Sequence, residues 1–302
     1  MLDKKYNSIL RKTMGTTDFK NEIYSFRLNG DSEIIDNEKV IIKKIDNGLD
    51  ITIKNTGKEE LFYLPVIINK GGYDETVYNK IVVEQGAKAK IIAGCAICHS
   101  DDKKSSHQGI HEIIIKENAS LDYSEKHYAD NEKVLNELSP NTTITAEENT
   151  IVNLHLSQLG GVRKSDRHTT ITAYENAKIN VNERLLTEGE DESKSTITVY
   201  LKEDGASADI LSRSVASGNS KQKTKFYIVA EANVNGHIEC DGIVMEQGEI
   251  EAIPMLNAKS SEAALIHEAA IGKIANNQIL KLMSLGLTEV EATNEIIKGF
   301  LN

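Results

Sequence analysis

From Glu38 onward, apolar residues recur at every second position or in short runs, the period of a β-strand and not of a helix. Val40-Ile41-Ile42, Leu49-Asp50-Ile51-Thr52-Ile53 and Leu61-Phe62-Tyr63-Leu64 predict strands. Asp46-Asn47-Gly48 and Asn55-Thr56-Gly57 predict the turns between them. Residues 1–37 carry a mixed pattern, in which Lys4 to Thr13 predicts a short helix with Tyr6, Ile9 and Leu10 on one face.

A quasi-repeat then takes over. Glu84-Gln85-Gly86, Glu117-Asn118, Glu148-Asn149, Glu175-Asn176, Glu203-Asp204-Gly205, Glu231-Ala232-Asn233 and Glu246-Gln247-Gly248 share one grammar. Each is an acidic residue, then Gly or Asn, then a short alternating β run. The Gly or Asn positions are 32, 31, 27, 29, 28 and 15 residues apart, and Gly160-Gly161, Gly189 and Gly218 fall near the midpoints of the later intervals. Gly and Asn accept a left-handed backbone at little cost. One such corner every half-turn predicts flattened coils stacked through parallel ladders. Alternate residues then face inward, Ile179, Val181, Ile197, Val199, Ile210, Ile228 and Ile238 among them. An antiparallel sandwich also needs many short strands, but not corners of one spacing and one grammar. The predicted fold is mainly β, a right-handed parallel β-helix with its core over residues 38–265.

The repeat fades near Ala258, and the β pattern gives way to helix around His267-Glu268. Ile274 to Ser284 has helical spacing, with Ile274, Leu280 and Met283 on one face, and Gly286 is placed to stop that helix. Thr288-Glu289-Val290-Glu291 has the form of a capping box. The helix it opens carries Val290, Ile296, Ile297, Phe300 and Leu301. Residues 266–302 therefore read as a helical C-terminal segment whose apolar face packs on the β-helix end or meets a partner.

Charge and composition remove several function classes. A formal net charge of -11 argues against nucleic acid or an anionic membrane as partner. No apolar run approaches the roughly 18 residues of a membrane span, and the opening M-L-D-K-K-Y-N-S-I-L has no apolar core of a secretory signal. Three cysteines do not make a disulfide framework, so the expected compartment is a reducing cytoplasm. Trp is absent and aromatics are 5%, which disfavours the aromatic platforms of sugar-binding clefts. That weakens a β-helix carbohydrate-active enzyme built on paired carboxylates. No G-x-x-x-x-G-K-[ST] and no G-x-S-x-G occur, so no nucleotide site or hydrolase elbow is predicted on this chain.

Two groups of side chains carry candidate chemistry. Cys240 sits in the strand-like run G-H-I-E-C-D, and His267-Glu268 follows 27 residues later. Thiolate, imidazole and carboxylate are the side-chain types that bind iron or zinc. The plainer reading, a buried cysteine and a helix-start pair, stays open beside it. The second group is Cys95-Ala96-Ile97-Cys98-His99 with His107 and His111 downstream, where C-x-x-C spacing and nearby imidazoles suit zinc or iron. It lacks the second C-x-x-C of a strong metal signature.

G-H-I-E-C-D, A-I-P, H-E-A-A-I-G-K-I, L-M-S-L-G-L and I-I-K-G-F-L, in this order, resemble the C-terminal part of the SufB/SufD proteins, scaffold subunits of the SUF iron–sulfur assembly machinery. The resemblance covers roughly residues 105–302, is densest after Ser195, and suggests a compact SufB-like form in which one chain stands for both subunits. It implies a β-helix and a non-enzymatic scaffold carrying a transient iron–sulfur cluster. The implied partners are a SufC-like ABC-type ATPase, a second copy of the chain, a sulfur donor and acceptor apoproteins. Cys240 matches the family's cluster- and sulfur-handling thiol; Glu268 and His267 match a SufB-type carboxylate and a SufD-type imidazole. The family's additional sulfur-accepting cysteine has no counterpart between Cys98 and Cys240, which leaves direct delivery to Cys240, free sulfide, or Cys95 and Cys98 as routes. The implied ATPase would dock on the last helix, through Val290, Ile296, Ile297, Phe300 and Leu301, with Thr288 fixing its start.

Overall fold

The computed structural model describes residues 6–19, 22–99, 102–129 and 134–301. Lys4, the predicted start of the first helix, lies outside them. The chain opens with α1 (Asn7–Met14), β1 (Ile23–Leu28), β2 (Asp31–Ile35), β3 (Val40–Ile45) and β4 (Gly48–Ile53). Next come β5 (Glu59–Ile68), β6 (Asp74–Val83), β7 (Lys88–Ile97), β8 (Ser106–Ile115), β9 (Ser120–Ala129), β10 (Glu137–Leu138) and β11 (Asn141–Ala146). The regular coils follow as β12 (Ile151–Leu159), β13 (Lys164–Ala173), β14 (Lys178–Thr187), β15 (Glu192–Leu201), β16 (Ser207–Ala216) and β17 (Lys221–Ala230). The chain closes with β18 (Asn235–Val244), β19 (Glu249–Ala258), β20 (Ala264–Gly272), α2 (Asn276–Met283) and α3 (Glu289–Leu301).

Apart from the pairs β1–β2, β3–β4 and β10–β11, successive strands alternate between two ten-stranded sheets, one running β2-β1-β5-β7-β9-β12-β14-β16-β18-β20 and the other from β3 and β4 to β17 and β19. The result is the expected β-solenoid, of about eight coils. Register repeats without slippage: Lys178, Ser207, Asn235 and Ala264 stand in one row. Among the described residues only the first end departs from parallel pairing, where β1–β2 and β3–β4 are antiparallel.

Two columns of left-handed corners make the coils flat. Gly86, Asn118, Asn149, Asn176 and Gly205 form one; Gly160, Gly161, Gly189, Gly218 and Glu246 lie in the other. In the first column each corner N–H donates to the carbonyl of the next coil, from Gly86 to Glu117 at 3.0 Å through Gly205 to Asn233 at 2.9 Å. Gly248, grouped by sequence with the first column, belongs to the opposite edge, where Glu246 takes the left-handed conformation at φ 55°. The 15-residue spacing before it is half a coil.

Strand alternation puts the expected residues inside: Ile179, Val181, Ile197, Val199, Ile210, Ile228 and Ile238 are all buried. The interior divides lengthwise. Beside the Asn118 corners it is aliphatic, as in the row Leu154, Val181, Ile210, Ile238. Toward the Gly189 corners buried Glu183, Ser195, Ser212, Ser193 and Gln222 replace the aliphatics. These polar groups bond one another: Gln222 Nε2, for example, donates to Thr187 Oγ1 at 2.9 Å and to the Val215 carbonyl at 2.8 Å.

Strand structure begins at Ile23 and continues to Gly272, beyond both limits expected for the core. His267-Glu268 is therefore not a helix start. Helix-favouring as H-E-A-A-I-G-K is, its backbone pairs with β18 from Asn235–Ala264 to Ile243–Gly272, and ladder pairing outweighs local propensity. The capping box forms as predicted: the Thr288 N–H donates to Glu291 Oε2 at 2.8 Å and the Glu291 N–H to Thr288 Oγ1 at 3.3 Å.

Candidate functional site

Cys240 lies on the inward face of β18, one coil short of the end, and is 3% exposed. Its row in the ladder runs Glu125, Leu156, Glu183, Ser212, Cys240, Ala269. Only the small Ala269 of β20 stands between it and the open end of the coil stack. Burial, then the carboxylates of Glu183, Asp241 and Glu239, push its thiol up to about 12. At neutral pH Cys240 is a protonated thiol. Glu183 accepts hydrogen bonds from Ser195 and, at 3.1 Å, from Ser212, yet burial still raises its carboxyl above the usual range.

The last coil is uncovered. His267 pairs with Ile238 and Ala269 with Cys240, so His267 shares the inward-facing row set of Cys240, two residues displaced along the strand. Glu268 pairs with Glu239, and alternation places both on the outward face. His267 and Glu268 are both exposed. So the three expected ligands do converge on one end of the solenoid, but Cys240 and His267 lie on one face of the sheet and Glu268 on the other. Apolar groups surround them: Ile266 is 58% exposed, and Ile271, Met255 and Leu256 are also exposed.

The Cys95 group is split. Cys95 points inward, within the cluster of Ile68, Ile97 and Leu138, whereas Cys98 packs outside against the α1 cluster of Leu10 and Met14. On a strand, residues three apart face opposite sides, so the C-x-x-C pair does not close on a common ion. His99 is buried beyond the end of β7. His107 and His111 turn inward from β8 and share a cavity with Cys95. Sequence reasoning missed the rest of this interior, above all Glu125, His127 and Arg167. The Arg167 guanidinium donates to Glu125 Oε2 and, at 3.2 Å, to His127 Nδ1. Burial alone would raise Glu125, but Arg167, followed by His127 and His111, holds it well below the carboxylate range. Burial lowers His111 to about 4 and also lowers His127, so both rings are neutral at pH 7. Among the described residues, no three or more His, Cys, Asp or Glu side chains are placed so that they could hold a metal ion.

The terminal helices lie loosely. Among the described residues of α2 none is buried, and Ala292 alone is buried in α3. Phe300 is engaged, with its carbonyl accepting from Arg213 Nη1 at 3.1 Å and the guanidinium 5.8 Å from its ring centre. Val290, 70% exposed, faces solvent, and Ile296, Ile297 and Leu301 are half-buried. Among the described residues no helix is long and apolar enough to cross a membrane.

A family model described as SUF system FeS cluster assembly, SufBD core domain, matches residues 67–300, a range that starts upstream of residue 105 and takes in Cys95 and Cys98. The chain is 33% identical over 230 residues to an iron–sulfur cluster assembly SufBD family protein of Archaeoglobus fulgidus, covering 75% of this chain and 60% of that protein. A SufBD family protein of Methanocaldococcus jannaschii is 32% identical over 227 residues, 74% of this chain and 70% of its own. The iron–sulfur cluster assembly protein SufB of Bacillus subtilis is 25% identical over 77% of this chain and 50% of its own length. Against several archaeal relatives the chain spans 55% to 60% of their length. With the core-domain match covering most of the coil stack and the Cys240 end, this chain belongs to the SufBD family of iron–sulfur cluster assembly proteins.

Proposed function

We propose that the chain is a scaffold on which iron and sulfide are assembled into a cluster that is then passed on, in partnership with a separate SufC-like ABC-type ATPase. The observation that carries this reading is the open end, where Cys240 lies one coil beneath an uncovered mouth and His267 shares its face. Iron and sulfide are the cargo. As iron binds, the Cys240 S–H bond breaks, its proton leaves to water and a sulfur–iron bond forms; the metal's charge supplies the stabilisation that burial denies a bare thiolate. His267 offers a nitrogen donor from the same face. Glu268, outward beside Glu239, serves iron delivery at the rim. A site with one thiolate and replaceable nitrogen or oxygen donors releases a cluster more readily than a four-thiolate site.

A second copy meeting this end would cover the unpaired edges of β19 and β20 and bring a second Cys240 and His267 to the same place. The ATPase would dock on α3 through Val290, Ile296, Ile297 and Leu301, a helix-in-groove contact. Deleting residues 288–302 should abolish ATPase binding and leave the β signal in circular dichroism unchanged. The test of the scaffold role is anaerobic reconstitution with iron and sulfide, followed by addition of an apo-ferredoxin. A scaffold acquires cluster absorbance and then loses it to the acceptor. No absorbance, or a cluster the acceptor cannot draw off, contradicts the reading.

A further inference from the structure

The C-terminal pair of helices is joined to the coil stack by a short link and packs little upon it. Residues 273–275 alone separate β20 from α2. The turn between α2 and α3 passes through Gly286 at φ 101°, where an added Cβ would meet nothing within 4 Å. The two helices pack on each other, and α3 meets the solenoid at β16. Neither has the length to hold itself. Helices shorter than about 12–15 residues are marginal in water, and α2 has 8 residues and α3 has 13. With Ala292 the one buried side chain among their described residues, both helices depend on whatever keeps the pair docked.

Arg213 is that contact. It lies half-buried on the outward face of β16. Its Nη1 donates at 3.1 Å to the Phe300 carbonyl, one of the last four of α3, which have no acceptor role within the helix. The guanidinium carbon is 5.8 Å from the centre of the Phe300 ring, within reach of a cation–π contact. A cation here also faces the negative pole of the helix dipole. One side chain therefore holds the helix end by charge, hydrogen bond and ring together. Val290, Ile297 and Leu301 lie on a different side of α3, so the grip does not use them. The docked state also carries a cost. Arg213 Nε is buried with no partner among the described residues, and an unpaired desolvated donor weakens the state that buries it.

We propose that α2 and α3 form a strap, hinged at residues 273–275 and latched by Arg213 on Phe300, which docks on the outer face of β16 and swings away as a unit when the latch opens. Few buried apolar contacts and one polar clasp are what place an element at the low-stability end of a fold. The latch stands beside the Cys240 strand. Arg213 pairs with Asp241, and Ser212, the residue before it on the inward face, pairs with Cys240. A partner that takes hold of the helices must either break the latch or pull on β16 next to Cys240.

This device belongs to the free chain and does not depend on the scaffold reading, so its test needs neither iron nor a partner. Hydrogen–deuterium exchange is followed by mass spectrometry in the full-length parent, Arg213→Ala, Arg213→Lys and Phe300→Leu chains. Arg213→Ala should speed exchange across both helices at least tenfold and leave the amides of β14, β16 and β18 unchanged. Phe300→Leu keeps the carbonyl and loses the ring, and Arg213→Lys keeps the charge and loses the planar fork; each should fall between the parent and Arg213→Ala. Adding Phe300→Leu to Arg213→Ala should change nothing further, because the two groups make one contact. Unchanged exchange in Arg213→Ala overturns the proposal, as do single effects that multiply in the double variant. Acceleration that spreads into β16 and β18 would make Arg213 a support of the sheet, and acceleration confined to the last turn of α3 would make it a helix cap; either result excludes the strap.

Discussion

At the first end of the solenoid, the antiparallel pairs β1–β2 and β3–β4 end both sheets, and α1 buries Leu10 and Met14 against the outer face of β5, β7 and β9. At the last end β19 and β20 keep an unpaired edge, their inward rows open to solvent, and α2 and α3 stand aside with almost nothing buried. The same repeating coil meets two treatments. An uncovered ladder edge invites pairing with another chain, which proteins usually block. Here one end is finished by antiparallel hairpins and a docked helix, with β2 and β3 as its edge strands, and the other stops on parallel strands beside Cys240. Burial is concentrated toward the first end, and exposed apolar side chains such as Ile266, Ile271, Met255 and Leu256 gather at the last.

The largest stability effect expected lies in the closed half. Glu125→Gln leaves the buried Arg167 guanidinium without its counter-charge and should cost about 3–5 kcal/mol in urea unfolding. Because Glu125 is held below its unfolded value, its contribution is present above the ordinary carboxylate range and is lost as pH falls from that range down to the depressed folded value. A change under about 1 kcal/mol would mean the pair is not desolvated as described. Leu10→Ala should cost about 2–5 kcal/mol, whereas Leu280→Ala at the open end should stay within roughly 0.5 kcal/mol. Equal effects would erase the contrast between the ends. Thr288→Ala, which removes the α3 cap, should weaken that helix by roughly 0.5–2 kcal/mol, seen as faster amide exchange confined to α3.

Glu183 sharpens the contrast from the other direction. It sits in the same ladder row as Glu125 but without a cation of its own, and its carboxyl is raised. The unfolded chain gives up that proton first, so folding stability falls as pH rises from the ordinary carboxylate range to the raised folded value. Glu183→Gln should therefore be more stable than the parent at pH 7 and similar to it near pH 4, by denaturant titration at both values. A variant less stable at pH 7 would show that Glu183 is held as a useful anion.

Much of the fold was legible because a corner residue reports a local backbone need: Gly86, Asn118, Asn149, Asn176 and Gly205 all take positive φ. What a corner residue does not report is which edge it occupies: Gly248 follows the grammar of the first column and lies on the opposite edge. The strand at His267 was hidden because its own residues favour helix and the ladder with β18 is a distant interaction. C-x-x-C at Cys95 suggests a shared ion because that spacing closes in a loop, whereas here Cys95 turns inward from β7 and Cys98, just past its end, packs on the α1 side. The buried charges did leave a signal. In Leu121, Tyr123, Glu125 and His127 the inward period of two continues unbroken into ionisable residues, and Glu183 follows Ile179 and Val181 in the same way. Charged residues in the apolar phase of a strand mark a polar interior, and reading the phase as well as the composition would have found them.

The account turns on which end carries the cluster, and the two buried cysteines decide it. Anaerobic reconstitution with iron and sulfide should be followed by absorbance and iron content in the parent chain, Cys240→Ala and Cys95→Ala. The account predicts loss of the cluster in Cys240→Ala and a retained cluster in Cys95→Ala. A cluster retained in Cys240→Ala and lost in Cys95→Ala would move assembly into the closed half and contradict it.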